Sequence, residues 1–273
     1  GLMRGAGLFA LLLTAAAHVS RGRGAVGERR ADEAILPPEI AALPEQTAEP
    51  PRDIYYLVFD RYADAETLRE HFAWDNGPFL AALWGRGFAV AEEARANYPK
   101  TEISIASSLN MRYHGNQLGS AGHYRRQMAE HEVGRLLKGH GYRYFHLGCP
   151  LEGLRSNPQA DVNYRFSPMP GEFSEILFRL TPAYSWWPPT EAMRQEEEKF
   201  ELLGRLPAAP GPKFVFAHFL LPHPPWKFNA DGSRRLPSVA LAARAPETYV
   251  AQGEDASPEI LKLGDAIAAG SAR

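Results

Sequence analysis

Residues 54–60 read IYYLVFD, an unbroken apolar and aromatic run that closes on a carboxylate. A strand with one wet face would alternate polar and apolar residues. Continuous hydrophobicity over this length instead predicts a strand buried on both faces, as in a parallel sheet covered by helices. The segments around it carry the same reading. Ala65–Phe72 and Pro78–Gly85 read as helices, and GFAVA (87–91) reads as a short second strand. Further helices are expected over Thr101–Met111, over His123–Gly139 closed by its glycine, and over Thr190–Leu206. YRYFHLG (142–148) and KFVFAHFLL (213–221) are the third and fourth strands, and a last helix falls near Pro258–Ala269. Strands separated by helices imply right-handed crossovers, hence a three-layer α/β/α domain on a mostly parallel sheet.

Composition sets the outer limits. The 273 residues are 45% hydrophobic and 23% charged, which is ordinary globular usage and enough for a real core. Formal net charge is only −2, and the arginines are scattered beyond the N-terminal region, so electrostatics gives no support for a nucleic-acid partner. The single cysteine, Cys149, excludes an intrachain disulfide and a cysteine-rich zinc site. Its place in FHLGCP, after an apolar run, reads as a buried and inert thiol.

Organisation follows from the first fifty residues. GAGLFALLLTAAAHV (5–19) is uncharged and apolar but shorter than the roughly 20 residues of a spanning helix, so residues 1–20 read as a signal segment or the remnant of a membrane helix. Arg21, Arg23, Arg29 and Arg30 follow it and, by the positive-inside tendency, pull against export. Residues 21–52, rich in Pro, Ala and Arg, read as a linker, and the folded domain is expected over 53–273.

Ligands of open parallel sheets collect at the carboxyl ends of the strands. Asp60 closes the first strand there. A carboxylate in that place suits a hard divalent cation, and it also suits a turn or a cap. Thr101 opens a helix after a Pro-containing turn in NYPKTEISIASSLNM (97–111). Such a hydroxyl either caps the helix or faces the anion-binding amides at its start, and it becomes a nucleophile only when a metal or base activates it. His223 sits in LLPHPPW, a stiff Pro-rich segment that would hold an imidazole in place for substrate contact. His218, inside the apolar run, reads first as a satisfied core or sheet-edge histidine and second as a substrate contact. No G-x-S-x-G or Walker loop occurs, which leaves Ser107 or Ser108 as a weak serine-hydrolase alternative.

Five fragments in order, DIYYLVFDRY, DNGPFL, GFAVAEEARANYPKTEISIASSLNM, NPQADVNY and GPKFVFAHFLLPHPPWKFNADG, resemble the sulfatase-like branch of the alkaline phosphatase superfamily. The resemblance is to bacterial membrane-tethered proteins related to lipoteichoic acid synthases and phosphoglycerol transferases, and it covers about Asp53 to Tyr249. It implies an alkaline-phosphatase-like fold, a divalent metal (Mn, Zn, Mg or Ca) on Asp60 and Thr101, and Thr101 as nucleophile. It further implies His223 near the substrate, with in-line attack on a phosphorus or sulfur centre through a covalent intermediate. Arg61, which the resemblance does not supply, would beside such a site either bind an anionic substrate or repel the metal. The expected substrate is a phosphate or sulfate ester, such as an envelope lipid or glycan. The expected location is the membrane, with the domain on its outer side. Thr101 lies outside the C-x-P-x-R context of formylglycine sulfatases, so phosphoryl chemistry is preferred.

The sequence also departs from the family. Arg61 stands where the family usually has glycine, and the late Asp-His pair that completes its metal site is missing, since the chain holds no Asp-His dipeptide. The expectation is therefore a C-terminally truncated member, inactive by itself, with an open sheet edge. The competing expectation is a noncatalytic, degenerate domain that binds an anionic glycan or headgroup.

Overall fold

Strand β1 (Ile54–Phe59) has five of its six residues buried, and its side chains alternate between two separate hydrophobic clusters. Tyr55, Leu57 and Phe59 enter one cluster, and Tyr56 and Val58 enter the other, so β1 has a helical layer on each side. The computed structural model describes residues 51–91, 94–115, 119–164, 177, 181, 191–224 and 246–271. The apolar segment at 1–20 and nearly all of the linker at 21–52 lie outside these residues. Among the described residues no helix is long and apolar enough to cross a membrane.

After β1 come α1 (Ala65–Phe72), α2 (Gly77–Gly85), α3 (Thr101–Leu109), α4 (Ala121–Ala129) and α5 (Glu132–Gly139). Then follow β2 (Arg143–Leu147), β3 (Val162–Tyr164), α6 (Glu191–Arg205), a single 3-10 turn at Leu206–Ala208, β4 (Lys213–Phe219) and α7 (Pro246–Ser271). The four strands are all parallel in the order β1-β4-β2-β3. The last strand thus enters between the first two, and β1 pairs on one side only among the described residues. This is the three-layer α/β arrangement expected from the sequence.

One layer, α3 to α5, packs on Tyr56, Val58, Tyr144, Phe214 and Phe216. The other, α1, α2, α6 and α7, packs on Tyr55, Leu57, Phe59, Val215 and Phe219. The amino end of the sheet is pinned by Lys213, whose Nζ lies 2.7 Å from Asp53 Oδ2 with both side chains nearly buried. At the carboxyl end Asp60 N–H still donates to Phe219 O at 3.0 Å, so the β1–β4 ladder runs up to the residue expected to do chemistry.

Three elements differ from the sequence reading. GFAVA forms no strand, because Phe88 and Val90 are satisfied by packing against the α7-side cluster rather than by pairing. The helix expected over 123–139 breaks at Glu130–His131. His131 adopts an extended backbone (φ −101°, ψ 149°) and caps α5 by accepting from Gly134 N–H at 2.9 Å. Strand β3 was not anticipated, since three residues of VNY carry too little pattern to register.

Candidate functional site

The loop leaving β1 is held from the far layer. Tyr249 on α7 accepts from Ala63 N–H at 3.1 Å and donates to Arg61 O at 2.6 Å, and the Tyr62 hydroxyl meets Ser257 Oγ at 2.8 Å. These bonds fix the turn that carries Asp60, a residue only 7% exposed. Arg61 pays for that turn in backbone conformation: its φ is 66°, the left-handed region that favours glycine. The departure noted in the sequence thus has a conformational counterpart.

Thr101 is the first residue of α3, not its cap. Lys100 occupies the cap position and makes no side-chain capping bond. The Thr101 hydroxyl instead donates to Asp60 Oδ2 at 3.2 Å, across 41 residues of sequence. Capping and attack were the two readings open for this threonine, and the cap position belongs to Lys100. The pair opens on a cleft of about 260 Å³ whose lining includes Arg61, Tyr98, Lys100, Thr101 and Glu102. Asp60 and Thr101 thus share the lining of one cleft with the cationic residues Arg61 and Lys100 and the acidic Glu102.

Beneath Asp60 lies His218. Val58 and His218 are register partners in the β1–β4 pair, so His218 comes up on the α3 side of β4. Its Nε2 is 3.6 Å from Asp60 Oδ2, beyond a good hydrogen bond. His218 is fully buried, and neither ring nitrogen has a hydrogen-bond partner. The expectation of a satisfied core histidine is wrong on this point. Burial pushes the imidazole down to about 4, against the pull of Asp60, so it is neutral at ordinary pH.

The remaining predicted residues are placed as follows. His223 follows β4 in the Pro-rich loop, half-buried, with Nδ1 against Pro224 O; it does not line the cleft. Ser107 is buried and donates to Arg112 O at 2.7 Å, while Ser108 donates to Ser104 O at 3.1 Å. Both hydroxyls are engaged, which gives the serine-hydrolase alternative no exposed nucleophile. Burial pushes the Cys149 thiol up to about 12, in keeping with an inert side chain.

Sequence reasoning missed a buried ion pair next to the site. Lys199 Nζ on α6 lies 3.3 Å from Glu196 Oε2 and donates to His218 O at 2.7 Å. The signal was present, because positions 196, 199, 200 and 203 form one helical stripe and Phe200 and Leu203 mark it as the inward face. It was obscured by the run EEEK, which reads as solvated.

No group of three or more His, Cys, Asp or Glu side chains able to hold a metal occurs among the described residues. Comparison with known proteins returned no matching family model, no matching curated protein and no matching solved structure.

Proposed function

We propose that this chain carries a site for phosphoryl-ester chemistry, with sulfate esters as the secondary class, in which Thr101 is the nucleophile and Asp60 its activating partner. The observation that carries the reading is the 3.2 Å contact between Thr101 Oγ1 and Asp60 Oδ2 in a cleft whose lining also includes Arg61 and Lys100. A threonine hydroxyl is a poor nucleophile until its proton has somewhere to go. Here it already points at a carboxylate oxygen. Attack forms an Oγ1–P bond and breaks the bond from phosphorus to the ester oxygen, the departing alcohol takes up a proton, and a water or acceptor alcohol then releases the phosphoryl group from Thr101. Arg61 and Lys100 are the groups that would hold the anionic oxygens.

A divalent metal fits the adjacent oxygens of Asp60 and Thr101, and it would supply Lewis-acid polarisation of the hydroxyl and of the ester oxygens. An envelope lipid or glycan as substrate, and a membrane location through the N-terminal apolar run, belong to the same proposal. The test, on a version of the chain that carries the late Asp-His strand, is release of inorganic phosphate from an aryl phosphate ester in the presence of manganese or zinc. Thr101→Ser should retain turnover and Thr101→Ala should abolish it. Turnover unchanged in Thr101→Ala refutes the assignment.

A second reading, a noncatalytic anion-binding domain, draws on the absence of a three-residue acid, His or Cys cluster among the described residues. It predicts that inorganic phosphate binds without metal, measured by calorimetry, and that affinity falls in Arg61→Ala and Lys100→Ala but not in Thr101→Ala.

A further inference from the structure

We propose that His218 is a direct ligand, with Asp60 and Thr101, of one tetrahedral divalent cation of the zinc class, so that strand β4 supplies the nitrogen donor of the site. The inference rests on the reading of Asp60 and Thr101 as a metal-and-nucleophile pair, and it adds the third ligand and the metal class. Three elements converge on one carboxylate oxygen: Asp60 ends β1, Thr101 starts α3 and His218 lies near the end of β4. Asp60 Oδ2 is 3.2 Å from Thr101 Oγ1 and 3.6 Å from His218 Nε2. Donors held about 2.0–2.1 Å from a tetrahedral zinc lie roughly 3.3 Å from one another, so both spacings match ligand edges. The longer one is poor as a hydrogen bond and reasonable as such an edge.

The independent observation is the imidazole itself. A fully buried histidine whose two nitrogens lack partners is an uncompensated polar group in the folded chain. A cation at Nε2 would satisfy that nitrogen. Imidazole favours zinc over magnesium or calcium, which prefer all-oxygen shells. Three protein ligands leave the fourth position for water or an ester oxygen, the form that catalytic rather than structural zinc sites take.

The experiment uses the whole chain stripped of metal and titrated with zinc against a chromophoric chelator, then loaded with cobalt(II) for absorption spectroscopy. One zinc per chain is expected, with the intense visible bands of four-coordinate cobalt. His218→Leu should reduce zinc affinity by more than the roughly 10- to 100-fold that loss of an outer-shell partner costs. Because the replaced nitrogens make no hydrogen bond, metal-free His218→Leu should unfold at an equal or higher denaturant midpoint, whereas a structural histidine would give a lower one. No zinc uptake, weak six-coordinate cobalt bands in the wild-type chain, or affinity unchanged in His218→Leu each overturns the ligand assignment. Uptake that is independent of His218 but lost in Asp60→Asn overturns it while leaving the Asp60–Thr101 reading intact. Uptake through His218 with no ester turnover supports this assignment and refutes the proposed reaction.

Discussion

Acid should destabilise this protein through its buried neutral histidines, His218 in the candidate site and two that lie away from it, His131 and His146. His131, Tyr144 and His146 form one buried chain, with His131 Nε2 3.2 Å from the Tyr144 hydroxyl and that hydroxyl 3.1 Å from His146 Nδ1. Its ends fix the direction of every proton. His131 Nδ1 accepts from Gly134 N–H, so its proton sits on Nε2 and is donated to Tyr144. His146 Nε2 faces the Leu154 carbonyl at 2.9 Å and must donate, so its Nδ1 accepts from Tyr144. Both rings are neutral, and neither can take a second proton without breaking a bond. Burial accordingly pushes His131 down to about 3 and His146 down to about 4.

A histidine depressed in the folded state stays neutral there while the unfolded chain protonates near 6.5. Its contribution is therefore complete above 6.5 and is lost as pH falls toward the folded values. At pH 5 each ring has cost about 2 kcal/mol, from one 1.36 kcal/mol step per pH unit over about 1.5 units, and the pair about 4 kcal/mol. The size of this loss depends little on the folded values as long as they stay below 5. Against a total of about 5–15 kcal/mol for a domain, it is a large fraction. Urea denaturation at 25 °C, at pH 7.5 and pH 5.0, should show it. His146→Gln should be less stable than wild type at pH 7.5 yet lose about 2 kcal/mol less on acidification, and His131→Gln should behave alike. Equal acid losses in wild type and both variants would refute the assignment of neutral, singly protonated rings.

Other perturbations test the packing around the cleft. Arg61→Gly should raise stability by up to about 1 kcal/mol in thermal unfolding, since the left-handed backbone costs a side-chain-bearing residue roughly 1–2 kcal/mol and glycine returns part of that as chain entropy. The same change should weaken phosphate binding. Lys199→Met removes the ammonium beside buried Glu196 and should cost about 3–5 kcal/mol by chemical denaturation, most of which Glu196→Leu in the same chain should restore. In Gly253→Ala the new Cβ would lie 2.2 Å from the Trp74 ring, so a loss of about 1–3 kcal/mol is expected, visible as a lower melting temperature.

The layers of this fold were legible because they follow from local pattern. IYYLVF and KFVFAHF contain no polar alternation, which is what burial on both faces requires, and both became interior-facing strands. Local pattern fails where a side chain has two ways to be satisfied. Phe88 and Val90 alternate as a strand would, yet they reach the core without pairing, so the alternation was real and the strand was not. His131 interrupts a helical stretch as a cap, a role that a histidine in HEVGRLL does not announce.

Site residues were legible singly, and their meeting was not. Asp60 and Thr101 could be chosen from the chemistry of strand ends and helix starts, and their contact is the meeting that the reading required. The place of His218 depends on a property no local window contains, namely that the last strand inserts between the first two. Had β4 added at the outer edge beside β3, His218 would lie far from Asp60 and its buried nitrogens would need partners elsewhere. Insertion beside β1, in the register Val58 opposite His218, brings a neutral imidazole under the carboxylate that Thr101 contacts from above. Lys199 then donates to the carbonyl of that same residue from the opposite layer, so the backbone of β4 is held at the point where its side chain faces the site. The strand order is thus what converts three separately readable residues into one candidate site, and a change that shifts β4 by one residue would dismantle it while leaving every element in place.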